Sequence, residues 1–343
     1  MKLVSAAALA KKLGLRIAKP ADLTIRREQD GEGWSYFTSR DRRIGDARTI
    51  RRLNSLAVPP AYTQVFYARD ARAHLQAIGR DAAGRLQYRY HPDWEKVREI
   101  RKAQRLIGLI EVLPRIRRAL AARLNSEIPG REFALAAAIE LISASAIRPG
   151  SEEYVRAHRT RGATTLLKSN VRCKGDNTLI LSFRAKGGKQ VRKEIRHARL
   201  CAAVRRLREL PGLRLFQYRG EDETIRPVSA AEANGFLREI AACPISLKDF
   251  RTLCGTAETL EALAAIEPAS SSRERKKQIV AAIRSAAAKL ENTPAICRKS
   301  YVHPAVLIAF ETGALREFRE QLRRARSGAT VQAAVGALLA TAA

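Results

Sequence analysis

Apolar and polar positions alternate differently in the two parts of this chain. In the first part, short apolar and aromatic runs are broken by Gly, Pro and Asp, over residues 31–37, 58–67 and 86–90. Runs of this length between turn residues are typical of β-strands. The pattern predicts a small β-rich domain over residues 23–95, preceded by an N-terminal extension over residues 1–22.

Beyond Pro92 the spacing of apolar residues becomes helical. Leucine and isoleucine recur every three or four positions, at Leu106, Leu109, Leu113, Ile116, Leu120 and Leu124. This period predicts a long amphipathic helix, which Pro114 should kink or divide. Another helix is predicted over about 132–146. Capping sequences that begin at Ser229 and Ser271 predict two more.

Between Thr164 and Ile195 the apolar period shifts towards two. Turn sequences at 174–177 and 186–189 separate the runs, which predicts three antiparallel strands joined by two hairpins. The predicted fold class is α+β: a β-rich N-terminal domain and a larger, mainly α-helical domain, over residues 96–326, that carries a three-stranded antiparallel sheet.

The C-terminal part of the chain has two patterns. A last helical stretch is predicted over about 304–326. An Ala-rich tail follows over residues 327–343, and its composition fits either a helix or a loosely ordered segment.

The net charge of the chain indicates what type of ligand it binds. Lys and Arg number 64 against 34 Asp and Glu, which gives a formal net charge of +30. A polyanion is the natural partner of such a surface, and the basic residues are spread along the whole length. On charge alone, a nucleic-acid enzyme and a ribosomal or chromatin packing protein are equally compatible with the sequence.

Cysteine and apolar content indicate the compartment. The five cysteines form no CxxC pair, so neither a disulfide framework nor a zinc site is expected, and a reducing cytoplasm fits best. The apolar run near the N-terminus is followed directly by Lys11 and Lys12, unlike a signal peptide. No apolar stretch reaches the roughly 20 residues of a membrane span.

One tyrosine stands in a basic and polar stretch near the C-terminus, Asn292–Thr–Pro–Ala–Ile–Cys–Arg–Lys–Ser–Tyr301. A phenol that attacks a phosphodiester needs cationic donors for the non-bridging oxygens and an acid for the leaving hydroxyl. The histidines are scattered and the carboxylates do not cluster, so a metal-free site built from arginines is expected. Taken singly, Arg148, Lys186 and Arg251 are each compatible with an ordinary surface role.

As an ordered set these motifs resemble the type IB DNA topoisomerases of the poxvirus-like bacterial branch, over about residues 23–318. The shared stretches include Gly79–Pro92, Phe183–Lys189, Lys248–Thr252 and Asn292–Tyr301. The resemblance implies a C-shaped clamp that closes around double-stranded DNA as a monomer in the bacterial cytoplasm. It implies relaxation of supercoiled duplex DNA through a 3′-phosphotyrosyl intermediate, without ATP, metal or another cofactor.

The resemblance also implies roles for individual residues. Tyr301 matches the nucleophile. Arg148 and Arg251 match the arginines that bind the scissile phosphate, and Lys186 matches the hairpin lysine that protonates the leaving 5′-oxygen. Lys189, three residues further on, stays an alternative for that acid.

Asn292 occupies a position where many relatives carry a histidine that donates to a non-bridging oxygen, and an amide can donate the same bond. The residues that match DNA-binding positions are Arg85, Gln87, Tyr88, Tyr90 and Lys248. Gln suits a base edge, and Arg and Tyr suit phosphates. Alternatively, one of the two tyrosines belongs to the core.

Two other functions remain open from the sequence. A tyrosine recombinase shares the order of Arg, Lys, Arg and Tyr, but recombinases usually place the second arginine in a His-x-x-Arg motif, whereas this chain has Lys248–Asp–Phe–Arg251. A non-catalytic DNA-binding protein on the same scaffold is the second alternative.

Overall fold

The computed structural model describes residues 4–323 and 328–341, and the chain divides into two compact units after Lys102. The first unit holds a five-stranded sheet, and the second is mainly helical with a three-stranded sheet. The predicted α+β class is therefore confirmed. No helix in the described part of the chain is long and apolar enough to cross a membrane.

The sheet of the first unit is antiparallel throughout, in the order β2-β1-β3-β4-β5. Its strands are β1 Leu23–Asp30, β2 Gly33–Phe37, β3 Thr63–Ala68, β4 Leu75–Arg80 and β5 Leu86–Tyr90. Two short helices, α1 Ala6–Lys12 and α2 Ala47–Ser55, belong to the same unit, and the long helix α3 Pro92–Leu124 begins in it.

Helix α2 was not expected inside the β-rich segment. Its sequence is rich in arginine, and its short apolar face consists of the buried Leu53 and of Ile50, which packs against the same core. Asp46 starts the helix, because its carboxylate accepts hydrogen bonds from the backbone N–H groups of Arg48 and Thr49. Leu53 then joins the core beneath the sheet, where Tyr36 and Tyr67 meet edge to face with ring centres 5.6 Å apart.

The second unit contains most of the helices. They are α4 Arg131–Ser145, α5 Glu152–His158, α6 Ala198–Glu209, α7 Ala230–Ala241, α8 Leu247–Ala264, α9 Ser272–Lys289, α10 Pro294–Tyr301, α11 Pro304–Glu311, α12 Arg316–Arg323 and α13 Gly328–Thr341. Its strands are β6 Val171–Lys174, β7 Thr178–Arg184, β8 Gln190–Arg196, β9 Gln217–Arg219 and β10 Ile225–Pro227.

Helix α4 is the centre of this unit. It is apolar on all sides and is buried along most of its length, which is typical of a helix inside a large core. The predicted three-stranded antiparallel sheet is confirmed in the order β6-β7-β8, with Phe183 opposite Val191 beside the second hairpin. Ser229 and Glu232 form the predicted capping box of α7.

Pro114 was expected to kink or divide the long helix, and the second of these outcomes was wrong. Helix α3 is continuous from Pro92 to Leu124, and Pro114 is exposed on its solvent side. A proline inside a helix removes one hydrogen bond and costs about 3 kcal/mol. Burial of the leucines and isoleucine on the opposite face offsets this cost, so the helix continues.

The C-terminal stretch also differs from the expected single helix over 304–326. Two short helices, α11 and α12, occupy it, separated at Gly313, where φ is +80°; Arg326 lies outside the described residues. The Ala-rich segment folds as helix α13, whose Val335 and Leu339 are fully buried in the main core.

Replacing Pro114 by Ala should raise the free energy of unfolding by about 2 kcal/mol. The variant regains a backbone N–H inside α3, and part of the gain is lost because alanine leaves the unfolded chain more freedom. Urea unfolding measures the change. Glu111→Ala, on the same exposed side, is the control and should shift stability by less than about 0.5 kcal/mol. A proline variant no more stable than wild type would contradict this account.

Candidate active site

A cleft of about 400 Å³ lies in the second unit, and the predicted site residues Arg148, Lys186, Arg251 and Tyr301 line it together with Lys248. These residues come from a turn, a hairpin and two helices that are far apart in sequence. The described residues that line the cleft include no carboxylate. The cleft therefore attracts an anion, and a phosphate fits its guanidinium and ammonium groups.

Tyr301 is the last residue of helix α10. Thr293 caps the start of this helix and Pro294 occupies its first turn, so the polar stretch is helical. The hydroxyl of Thr256 on α8 donates to the carbonyl oxygen of Tyr301 at 3.1 Å. The two helices touch at Gly255, where any Cβ would stand 2.8 Å from the same oxygen. This contact fixes the backbone that carries the phenol.

The charge around Tyr301 makes its phenol more acidic. Burial by itself raises the pKa of Tyr301, because the anion is less well solvated. Arg251, through its charge and a side-chain hydrogen bond, acts together with the charges of Arg148 and Lys248 to outweigh this effect. As a result the pKa of Tyr301 lies below the usual value of a tyrosine.

Arg251 is buried, with 2% of its surface exposed. One terminal nitrogen donates to the carbonyl oxygen of Ala146 and the other to that of Leu290, the second at 2.9 Å. The guanidinium carbon lies 4.8 Å from the centre of the Tyr301 ring. This burial excludes the ordinary surface role for Arg251, and the neighbouring Asp249 accepts a hydrogen bond from the backbone N–H of Ser246 at the start of α8.

Arg148 lies in the turn after α4, which ends because Ala146 adopts a left-handed conformation with φ of +54°. The backbone oxygen of Arg148 accepts a hydrogen bond from the N–H of Ala163 at 2.8 Å. Gly162 packs so closely that a Cβ there would stand 2.5 Å from that oxygen. The side chain donates to the amide oxygen of Asn292 at 2.6 Å.

Two donors at this site have no partner in the described part of the chain: Nε of Arg251 and Nδ2 of Asn292, both buried. A buried N–H group without an acceptor costs about 1–3 kcal/mol. The amide oxygen of Asn292 is already held by Arg148, so its nitrogen is the group left over. Arg251 lines the cleft, whereas Asn292 is not among the described lining residues and contacts the cleft through Arg148.

Lys186 begins a tight turn between β7 and β8. Gly187 and Gly188 have φ of +79° and +76°, values that favour glycine. The ammonium of Lys186 donates to the hydroxyl of Tyr154 at 3.2 Å and lies 4.8 Å from the centre of that ring. Lys189 is exposed and is not among the described residues that line the cleft.

Comparison with known proteins identifies the family. Residues 89–328 match the eukaryotic DNA topoisomerase I catalytic core, and residues 33–81 match the bacterial DNA topoisomerase IB N-terminal domain. The DNA topoisomerase 1B of Acanthamoeba polyphaga mimivirus is 30% identical over 285 residues, which cover 81% of this chain and 84% of the viral protein. The chain belongs to the type IB DNA topoisomerases. It therefore carries the catalytic core of a DNA topoisomerase, and its substrate is DNA.

Of the predicted DNA-binding residues in the first unit of this type IB topoisomerase, Gln87, Tyr88 and Tyr90 lie on β5, an edge strand of the sheet, and Arg85 directly precedes it. Tyr88 and Tyr90 are 44% and 41% exposed and stack with ring centres 6.1 Å apart. The alternative that one of them belongs to the core was therefore wrong. Asp81 accepts hydrogen bonds from Arg85 and Gln87 and holds both side chains on this strand.

Sequence reasoning missed two side chains that line the cleft of the topoisomerase, Tyr154 and Arg161. Neither stands in a motif that marks it for function. Tyr154 is on α5 and contacts Lys186. Arg161 donates to the carbonyl oxygen of Thr165 at 2.8 Å, and its pKa is lowered by burial and by the charge of Arg214.

Gly255→Ala should slow relaxation of supercoiled DNA by about 10- to 100-fold, because the added methyl displaces the backbone of Tyr301. Overpacking should also lower stability by about 1–3 kcal/mol. Gly235→Ala on α7 is the matched control, since a Cβ there meets nothing within 4 Å. The relaxation rate is measured for the folded fraction of each variant. Equal rates for Gly255→Ala and Gly235→Ala would show that the contact at Gly255 does not position Tyr301.

Proposed function

We propose that this topoisomerase relaxes supercoiled duplex DNA by cutting one strand through a 3′-phosphotyrosyl intermediate at Tyr301, without ATP or a metal ion. The observation that supports it most is the placement of the Tyr301 phenol in a cationic cleft, near buried nitrogens of Arg251 and Asn292 that have no acceptor among the described residues. A phosphodiester brings the oxygens that these donors lack, and the phenol supplies the nucleophile.

Cleavage forms one bond and breaks another. The phenol oxygen of Tyr301 attacks phosphorus and passes its proton to water, while the bond from phosphorus to the 5′-oxygen breaks. A tyrosine normally has a pKa near 10, so loss of this proton is a large part of the difficulty. Arg251 and Arg148 reduce it, because both favour the phenolate.

The transition state places additional negative charge on the non-bridging oxygens. Arg148, Arg251 and Asn292 are the proposed donors to these oxygens. The Arg148 side chain and the Asn292 amide hold one another at 2.6 Å, so they are already in position before DNA binds. Preorganised donors of this kind are worth about 10²- to 10³-fold each in rate.

Lys186 is the proposed general acid. Its ammonium gives a proton to the leaving 5′-oxygen, and its neutral amine takes the proton back when that hydroxyl attacks the phosphotyrosine. The hydrogen bond to Tyr154 holds the ammonium at the cleft in the absence of DNA. Lys186 is favoured over Lys189 because only Lys186 is among the described residues lining the cleft.

Resealing needs no nucleotide, because the phosphotyrosyl bond conserves the energy of the broken phosphodiester. Rotation of the cut strand between the two steps relaxes the supercoil. We propose that the enzyme acts as a monomer in the bacterial cytoplasm, with Arg85, Gln87, Tyr88 and Tyr90 on the major groove and Lys248 on a phosphate near Tyr301. The ammonium of Lys248 lies 5.9 Å from the Tyr301 ring centre.

Wild-type protein should relax supercoiled plasmid in EDTA and without nucleotide, and Tyr301→Phe should abolish both relaxation and covalent capture of DNA while binding persists. Tyr218→Phe, outside this cleft, is the matched control and should behave as wild type. Binding without relaxation by wild-type protein would favour the non-catalytic alternative. Relaxation restricted to plasmids that share one particular site would favour a recombinase.

Lys186→Ala should slow cleavage of ordinary DNA by about 10²- to 10⁴-fold, the usual contribution of a general acid. Replacing the bridging 5′-oxygen at the cut site by sulfur should restore the rate, because a thiolate leaves without a proton. Lys189→Ala is the control and should cleave both substrates normally. A loss and a sulfur rescue seen with Lys189→Ala instead would assign the acid to Lys189.

A further inference from the structure

Lys193 on β8 is a partly buried lysine that neither the motifs nor the cleavage chemistry uses. Its ammonium donates to the carbonyl oxygen of Ser145 at 3.0 Å and to that of Lys289. Ser145 is the last residue of α4, and Lys289 is the last residue of α9. The single ammonium therefore joins the C-terminal ends of two helices.

Arg251 makes the same connection one residue further along each helix. Its two terminal nitrogens donate to the carbonyl oxygens of Ala146 and Leu290, which directly follow the two residues held by Lys193. Two cations, one from the sheet and one from α8, thus bridge successive carbonyls of the same pair of helix ends. This pairing fixes both the distance and the angle between those ends.

The segments that leave these helix ends carry the proposed phosphate-binding pair. Arg148 follows Ala146 by two residues, and Asn292 follows Leu290 by two residues. Their side chains meet at 2.6 Å, a contact that exists only while the two helix ends keep their spacing. The four carbonyl contacts of Lys193 and Arg251 therefore lie at the two helix ends that lead into Arg148 and Asn292.

Elementary electrostatics explains why a lysine suits this position. The last carbonyls of a helix lack partners within the helix and carry partial negative charge, which favours a cation. An ammonium has three donors on a compact head, so one lysine reaches two carbonyls at once. Burial lowers the pKa of Lys193 below its usual value, and the charge of Glu291 is the largest effect opposing that decrease.

We propose that Lys193 is a positioning residue for cleavage and religation: by joining the ends of α4 and α9 it holds Arg148 and Asn292 at the spacing that the scissile phosphate requires. The inference rests on the proposed function, because it assigns Lys193 an effect only through that pair. Lys193 does not itself line the cleft in the described part of the chain.

The test compares Lys193→Met, which keeps the length and removes the donors, with Arg192→Met, an exposed neighbour on the same strand. Single-turnover cleavage and religation should both slow by about 10- to 100-fold in Lys193→Met, the range expected when catalytic groups are misplaced by about 1 Å. DNA affinity should not change, and Arg192→Met should react as wild type. Lys193→Arg, which keeps charge and donors, should recover most of the rate.

A double-mutant cycle separates positioning from general stability. If Lys193 acts through Arg148, Lys193→Met should cost little further rate in an Arg148→Ala background. A purely structural role would lower the unfolding temperature and leave the rate per folded molecule unchanged, and that result overturns the inference. The inference is also overturned if Lys193→Met causes the same loss of rate in the wild-type and Arg148→Ala backgrounds.

The variant measurements have two further outcomes. If Lys193→Met does not fold, the cleavage and religation rates of Lys193→Gln are measured instead, because glutamine removes the charge and keeps an N–H donor. Wild-type rates for Lys193→Gln overturn the inference. If Arg148→Ala itself cleaves at the wild-type rate, the proposed function has failed. If Arg148→Ala cleaves DNA slowly and Lys193→Met cleaves it at the wild-type rate, the inference about Lys193 is rejected and the proposed function is retained.

Discussion

The guanidinium of Arg251 lies inside the protein between the ends of α4 and α9, and its contacts order everything around the cleft. Burying such a charge costs several kcal/mol unless its donors find acceptors. Here the acceptors are the carbonyl oxygens of Ala146 and Leu290, at the ends of two helices where acceptors are unpaired and partial charge is negative. One interaction thereby stabilises the charge, ends two helices and sets their separation.

The same burial has a chemical consequence. Arg251 lies under the ring of Tyr301, lowers the pKa of its phenol and keeps one N–H without a partner. Asn292 is in a similar position, since Arg148 occupies its oxygen and leaves its nitrogen unsatisfied. Within the described part of the chain, Arg251 and Asn292 thus each hold a buried donor without an acceptor. We propose that a bound phosphodiester supplies these acceptors, which couples DNA recognition to the proposed chemistry.

The first unit shows a different balance between stability and function. Its core includes Tyr36 on β2 and Tyr67 on β3, which are almost fully buried. The edge strand β5 contributes little to that core and is exposed along most of its length. Side chains on such a strand are available to contact a duplex, and the acceptor Asp81 limits the motion of two of them. The proposed DNA-binding surface therefore lies on a strand that adds little to the core of its sheet.

Local patterns in the sequence determined the elements whose causes are local. The leucine period of α3, the two hairpins around β7 and the capping box at Ser229 all depend on neighbouring residues, and all are present. The ordered motifs likewise identified the family. The division of α3 at Pro114 was not found, because burial of the apolar face keeps the helix continuous, and the short helix α2 was not expected within the β-rich segment.

Only the tertiary structure decided how separate segments meet. It places Arg148, Lys186, Arg251 and Tyr301 in one cleft, adds Tyr154 and Arg161 to it, and leaves Lys189 outside the described lining. It also shows Lys193 and Arg251 bridging the same helix ends, which no spacing along the chain predicts. The physical reason is that these contacts join residues far apart in sequence, so their geometry depends on how the whole core packs.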